Sequence, residues 1–150
     1  MSKIPEGYTS VTPYLTFDDT AAALEFYKQA FGAEVTLSLP TPDGKIAHAE
    51  IQIGNARVMM GAPCPEKGNK SAKTLGGSPV GFCIYVPDVE VAFKKAKNAG
   101  MTEKKPIEDM FWGDRMGSLK DPFGFEWSIA ERVREVAPAE IQEAMKKMAS

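Results

Sequence analysis

Two stretches of this chain repeat one pattern of hydrophobic and polar positions, about 69 residues apart. Each stretch begins with an aspartate, Asp19 or Asp88, and ends with a glycine, Gly32 or Gly100. Between these ends the apolar residues recur at the spacing of one helical face, which predicts two amphipathic helices. Aspartate suits the first position because its carboxylate accepts the unpaired amide hydrogens of the first turn, and glycine suits the left-handed stop.

Strand patterns lie on both sides of the predicted helices. Residues 11–17 and 80–86 alternate apolar and polar side chains before the helices, and residues 47–53 and 126–129 alternate after them. A period of two indicates that one face of each strand is buried and the other meets water or a ligand. Glycine-containing turns join the later strands as hairpins, so the order in each half is a strand, a helix and three strands.

The repeat predicts an α+β fold of two pseudo-symmetric βαβββ modules that form a concave mixed sheet. The first module covers about residues 8–62 and the second about 80–133. The crossover 63–79 is rich in proline, glycine, serine and lysine, which predicts an exposed connection. An amphipathic helix is expected over 138–149, packed on the sheet rim or on a partner subunit. At 150 residues the chain fits a single domain with a sizeable core.

Composition narrows the classes of function. A net charge of −2 with interspersed signs argues against a nucleic-acid face or an anionic-membrane anchor. No apolar run approaches the roughly 20 residues that a membrane-spanning helix needs. The two cysteines, Cys64 and Cys83, give no disulfide framework. With no signal-peptide pattern at the first residues, we expect a cytoplasmic protein that contacts neither nucleic acid nor membrane.

Short motifs then carry a family resemblance. They are PYL at 13–15, EFY at 25–27, HAE at 48–50, DMFWGDR at 109–115, DPFG at 121–124 and WSIA at 127–130. Through them the chain resembles the vicinal oxygen chelate superfamily, and within it the PhnB-type glyoxalase-like branch. That superfamily includes glyoxalase I, extradiol dioxygenases, and the bleomycin- and fosfomycin-resistance proteins. The resemblance implies the paired-module fold, a small-molecule ligand and a homodimer. Phe125 is a departure, because branch members often have histidine after DPFG.

The resemblance also implies where a metal would bind. Metal enzymes of the superfamily place His or Glu on the first and last strand of each module. By the repeat, these positions here are Thr12, Met59, Gly81 and Ser128. None is a usual ligand for zinc, nickel or iron. We therefore expect no metal and no other cofactor.

His48 is the single histidine, and it shares one face of a predicted strand with Glu50 and Gln52. Histidine titrates near neutrality, so His48 is a candidate ligand-binding or acid/base residue that Glu50 would tune. The alternative is a structural histidine on a half-wetted sheet.

A second candidate pair, Trp112 and Arg115, flanks Gly113 in the second module. A large ring and a planar guanidinium can close one end of a ligand cavity. Alternatively, Trp112 stabilises the turn, and Arg115 pairs with Asp109 or Asp114. The remaining predicted lining of the cavity consists of Thr12, Tyr14, Gln52, Met59, Tyr85 and Ser128.

These observations favour metal-independent binding of a small, partly aromatic molecule in the concave cavity, like the sequestration performed by bleomycin-resistance proteins. An alternative is a glyoxalase-type lyase or isomerase, either metal-free with His48 as acid/base or with a rearranged metal site. A regulatory or interaction module built on an inactive enzyme fold is a third class. The sequence does not identify the ligand, because one fold hosts many functions.

Overall fold

The computed structural model describes residues 1–149 and confirms the repeated unit. The elements of the first module are, in order, β1 Tyr14–Thr16, α1 Thr20–Phe31, β2 Glu34–Pro40, β3 Ile46–Ile53 and β4 Ala56–Gly61. Those of the second are β5 Phe82–Tyr85, α3 Val89–Ala99, β6 Thr102–Asp109, β7 Asp114–Lys120 and β8 Glu126–Arg132.

Both long helices begin and end where the sequence predicts. The Asp19 carboxylate accepts a hydrogen bond from the Ala22 amide at 3.0 Å, and Asp88 accepts one from the Val91 amide at 3.1 Å. Gly32 ends α1 in the left-handed conformation, with φ of 66°. These side chains satisfy amide hydrogens that a helix leaves free at its first turn.

Each module forms its own four-stranded mixed sheet, with strand orders β1-β4-β3-β2 and β5-β8-β7-β6. In both sheets the first strand runs parallel to the last strand of its module. Tyr14 lies opposite Met59 in the first sheet, and Cys83 lies opposite Ser128 in the second. The register thus repeats at the same offset as the sequence pattern.

The structure corrects two details. The first strand is shorter than the alternation over 11–17 indicated, since β1 holds only Tyr14–Thr16. The crossover is not exposed throughout, because it contains the short helix α2, Ala72–Leu75, in which Ala72 is buried. Ser71 is also buried and caps α2 by accepting the Thr74 amide at 3.1 Å.

One hydrophobic core joins the two modules, and α1 lies at its centre. Tyr27 of α1 is fully buried and packs against Phe17 and against Trp127 of β8. Its hydroxyl donates a hydrogen bond to Asp121, in the turn between β7 and β8. Burial and the nearby Asp121 carboxylate raise the pKa of Tyr27 well above its ordinary value. The modules are therefore fixed to each other by buried polar and aromatic contacts.

The last helix, α4 Pro138–Ala149, lies outside both modules. It buries none of its residues, and Met145 and Met148 are more than half exposed. None of the helices described, α1 to α4, is long and apolar enough to cross a membrane.

Candidate functional site

A hydrogen-bonded group of three side chains lies on the open face of the first sheet. His48 and Glu50 project to this face from β3, two residues apart, and Tyr14 reaches it from β1. The Tyr14 hydroxyl lies 3.1 Å from His48 Nδ1, and His48 Nε2 lies 3.1 Å from Glu50 Oε1. The structure thus brings together three predicted site residues, which we call the Tyr14–His48–Glu50 group.

The absence of a side chain at Gly61 makes room for this group. Gly61 of β4 lies directly opposite His48. A Cβ atom added at Gly61 would lie 2.5 Å from the Tyr14 hydroxyl oxygen and 2.9 Å from the Ala47 carbonyl oxygen. Both distances are far below a normal carbon–oxygen contact, so any larger residue would displace the Tyr14 ring.

Tyr8, from the segment before β1, completes the group. Its hydroxyl donates a hydrogen bond to Glu50 Oε2, and this bond holds the pKa of Glu50 below its ordinary value of 4.5, with a further contribution from His48. Burial and the Glu50 carboxylate raise the pKa of Tyr8. Near neutral pH, Glu50 is therefore an ionised acceptor.

The charge on Glu50 determines the hydrogen-bond directions in the group. An ionised carboxylate only accepts, so His48 Nε2 must carry the proton that it shares with Glu50. In a neutral imidazole the other nitrogen is then an acceptor, so the Tyr14 hydroxyl donates to His48 Nδ1. The resulting order, carboxylate to imidazole to hydroxyl, leaves Tyr14 as the most exposed member, with half of its surface accessible.

An open groove of about 640 Å³ lies beside this group, between the N-terminal segment and the first sheet. Among its walls are the predicted residues Thr12, Glu50 and Met59, together with Tyr8. Gln52 lies further along β3, where its amide donates to the Gly54 carbonyl oxygen at 2.9 Å. Gln52 therefore stabilises the β3–β4 hairpin.

A second polar group surrounds the buried carboxylate of Asp114 in the second module. Asp114 Oδ2 accepts hydrogen bonds from Tyr85 at 2.7 Å and from the Trp112 indole at 3.0 Å. Asp114 Oδ1 accepts one from Arg132 Nε at 3.2 Å. The bond to Asp114, with burial, raises the pKa of Tyr85. In the described residues 1–149, the hydrogen bonds of each group stay within its own module.

The structure does not place Arg115 beside Trp112. Asp114 and Arg115 are neighbours on β7, so their side chains point to opposite faces of the sheet. Arg115 pairs with Glu90 of α3 at 2.5 Å and with Asp109 at 3.1 Å. The alternative interpretation, an ion pair with Asp109, is therefore the one that the geometry supports, and we leave Arg115 out of the candidate site.

Three residues near these groups escaped the sequence interpretation. Asp114 stands inside the DMFWGDR motif and was considered only as a partner for Arg115. Arg57 lies two residues before Met59 on β4, so strand alternation would have placed both on one face. Tyr8 lies before the first predicted strand, and no periodicity identified it.

These features place the chain in a known family. Residues 9–129 match the family model of the Glyoxalase/Bleomycin resistance protein/Dioxygenase superfamily, and the chain belongs to it. An uncharacterized protein of Mycobacterium bovis is 44% identical over 139 residues, 91% of each chain.

Solved structures share the fold. A gene product of Arabidopsis thaliana is 28% identical, with a TM-score of 0.68 over 83% of this chain and 99% of that one. The fosfomycin resistance protein FosX from Listeria monocytogenes has a TM-score of 0.61 at 13% identity, over 88% of this chain and 96% of that one. At that identity the likeness to FosX concerns the fold alone.

The donor set at the superfamily's metal positions does not fit a metal. Thr12 and Ser128 carry hydroxyls, Met59 carries a thioether, and Gly81 has no side chain. Zinc, nickel and iron need imidazole, carboxylate or thiolate ligands instead. Within residues 1–149, no three His, Cys, Asp or Glu side chains lie close enough to hold an ion. Metal independence stays a prediction.

Proposed function

We propose that the open face of the first module binds a small, flat molecule without a metal, as a sequestering protein does. The observation that carries the proposal is the Tyr14–His48–Glu50 group beside a groove of about 640 Å³. Small-molecule sites combine apolar or aromatic walls with a few convergent polar groups. This face provides both.

Each element of the groove has a role in such a site. The Tyr8 ring in the groove and the exposed Tyr14 ring of the adjoining group offer aromatic surface on which a ligand can stack. Met59 is flexible and polarisable, so it adapts to an irregular apolar shape. When the Tyr14 hydroxyl donates its hydrogen to His48, its oxygen can still accept a hydrogen bond from the ligand. The fixed network keeps these groups in place before binding, which lowers the entropic cost of association.

The test is a fragment titration with a matched control variant. Flat aromatic fragments that carry a hydrogen-bond donor are titrated into ¹⁵N-labelled protein and into two variants, His48→Ala and Ser118→Ala. Ser118 on β7 lies opposite Ser128, as Glu50 on β3 lies opposite Met59. Ser118 therefore occupies in the second module the position that Glu50, the partner of His48, occupies in the first.

We expect His48→Ala to weaken fragment binding by about 1–2 kcal/mol, because it releases Tyr14 and removes a polar partner. Ser118→Ala should leave the affinity unchanged. Fragments that bind the His48→Ala variant as well as the unchanged protein would refute the proposal.

A second candidate function is acid/base catalysis by the same group, as in a metal-free lyase or isomerase. The chain of hydrogen bonds from Glu50 through His48 to Tyr14 favours it, since His48 can take the Tyr14 proton while Glu50 stabilises the imidazolium. A substrate proton would then be exchanged at the exposed Tyr14 oxygen.

The two functions are distinguished by turnover. Catalysis would give a rate with a bell-shaped pH profile, lost in both Tyr14→Phe and His48→Ala. If the protein binds ligands but turns over none of a panel of aldehyde and epoxide substrates, sequestration is the function that remains.

A further inference from the structure

A cleft separate from the groove lies between the two modules. Its volume is about 620 Å³, and it is bounded by the end of the β3–β4 hairpin, by β5 and by the segment before β1. Apolar side chains form most of its walls, namely Val11, Pro13, Val58, Phe82, Ile84 and Trp127. Thr9 borders both the cleft and the groove.

Arg57 lines this cleft with a charge that no ion pair balances. In the described residues its guanidinium forms no salt bridge; it lies over the face of the Tyr8 ring, 5.2 Å from the ring centroid, with Nε and Nη2 beside Gly7. Arg57 Nε is buried and has no hydrogen-bond partner. The guanidinium thus has no hydrogen-bond acceptor in the described residues, so a carboxylate at the part of the group that borders the cleft would be favoured.

Nearby Glu50 does not fill this role. The Arg57 charge contributes to the lowered pKa of Glu50, which shows that the two groups interact at a distance. The two carboxylate oxygens of Glu50, however, already accept hydrogen bonds from Tyr8 and His48. Glu50 therefore leaves the Arg57 guanidinium without a hydrogen-bonded partner.

We propose that the cleft between the modules binds a small carboxylate with an apolar or aromatic body. The carboxylate pairs with Arg57, whose planar fork matches its two oxygens. Asn55 and Tyr85 also line the cleft and supply polar contacts at its margin. The apolar walls bury the remainder of the ligand.

A single charge on the ligand fits the lining better than a phosphate does. Arg57 is the one lysine or arginine among the residues that line the cleft. A phosphate dianion would need more positive charge than this to offset its loss of hydration. This site does not depend on the function proposed for the groove.

The two cysteines provide a built-in readout. Cys83 is exposed and lines the cleft, whereas Cys64 lies in the crossover and does not. A ligand in the cleft should therefore shield Cys83 and leave Cys64 unaffected. Partial desolvation and nearby Asp114 raise the pKa of the Cys83 thiol, which slows its alkylation.

The experiment follows iodoacetamide modification of each cysteine by peptide mass spectrometry. The probes are 2-naphthylacetate and its neutral counterpart 2-naphthylacetamide. We expect the acetate to slow modification of Cys83 but not of Cys64, and the amide to protect at least tenfold less well. Arg57→Gln should weaken protection by the acetate about tenfold or more, and the control Arg134→Gln should not change it.

Two further variants test whether a loss of protection comes from misfolding or from binding in the groove. Arg57→Lys keeps the charge but loses the fork, so it should bind the acetate with intermediate affinity. His48→Ala should leave protection of Cys83 unchanged, so a failure of the groove proposal would be seen separately. Equal protection by acetate and amide, or unaltered protection in folded Arg57→Gln, would overturn the proposal.

Discussion

The Asp121 carboxylate provides the sharpest prediction of stability. Its Oδ2 accepts hydrogen bonds from Tyr27 and from the Trp127 indole, the latter at 2.8 Å. Its Oδ1 accepts the amides of Phe123 and Phe125, both at 2.9 Å. The residue is only 4% exposed, so water does not replace these partners. In Asp121→Asn, one acceptor oxygen becomes a donor NH₂ group. If this group takes the place of Oδ2, the Trp127 indole loses its partner and the Tyr27 hydroxyl must turn to accept.

We expect Asp121→Asn to lower the free energy of unfolding by about 2–4 kcal/mol, since a buried donor left unpaired costs about 1–3 kcal/mol and the remaining hydrogen bonds lose their charged acceptor. That is a large part of the 5–15 kcal/mol typical of a domain. The control is Asp109→Asn, the same chemical change at an exposed ion pair with Arg115, which should cost under about 1 kcal/mol.

Urea denaturation followed by tryptophan fluorescence measures both variants. Tyr27→Phe should cost less than Asp121→Asn, because it removes one donor and leaves three. A loss below about 1 kcal/mol in Asp121→Asn would show that this carboxylate does not hold the modules together.

Three further predictions concern pH, assembly and metal. Because the pKa of Glu50 is lowered in the folded protein, its stabilisation is present above its ordinary value of 4.5 and is lost as the pH falls through the lower folded value. The difference in unfolding free energy between the unchanged protein and Glu50→Gln should therefore shrink between about pH 6 and pH 3, and a constant difference would contradict this. The exposed face of α4 with Met145 and Met148 favours a homodimer, so sedimentation at high micromolar concentration should exceed the 16.3 kDa of one chain; a lone monomer would count against it. Chelator treatment should leave the melting temperature unchanged, and a fall of several degrees would reveal a bound metal.

The helices and the module repeat could be predicted because their signals are local. Asp19 and Asp88 cap their helices, and the offset between them reappears in the sheet register. Such features depend on periodicity and on side-chain chemistry within a few residues. The approach of His48 to Glu50 was predictable for the same reason, since residues two apart on a strand share a face.

The rest of the candidate site depends on contacts between distant parts of the chain. Tyr8 reaches Glu50 across 42 positions, and nothing near Tyr8 in the sequence predicts that contact. Trp112 lies in the turn before β7, outside the strand that holds Arg115. Strand alternation therefore could not predict whether the two side chains point to the same face. The Asp114 group arises from three different elements brought together by packing.

The proposed recognition of a small molecule by the Tyr14–His48–Glu50 group is tested most directly at His48. His48 is the single histidine of the chain, so its ring gives one unambiguous NMR signal. Its ¹⁵N shifts should first report a proton on Nε2, the nitrogen that faces Glu50. During titration with a flat aromatic fragment, that ring signal should move with the same dissociation constant as the backbone signals of β1 and β3. A fragment that saturates the protein while the His48 ring signal stays in place would contradict the account.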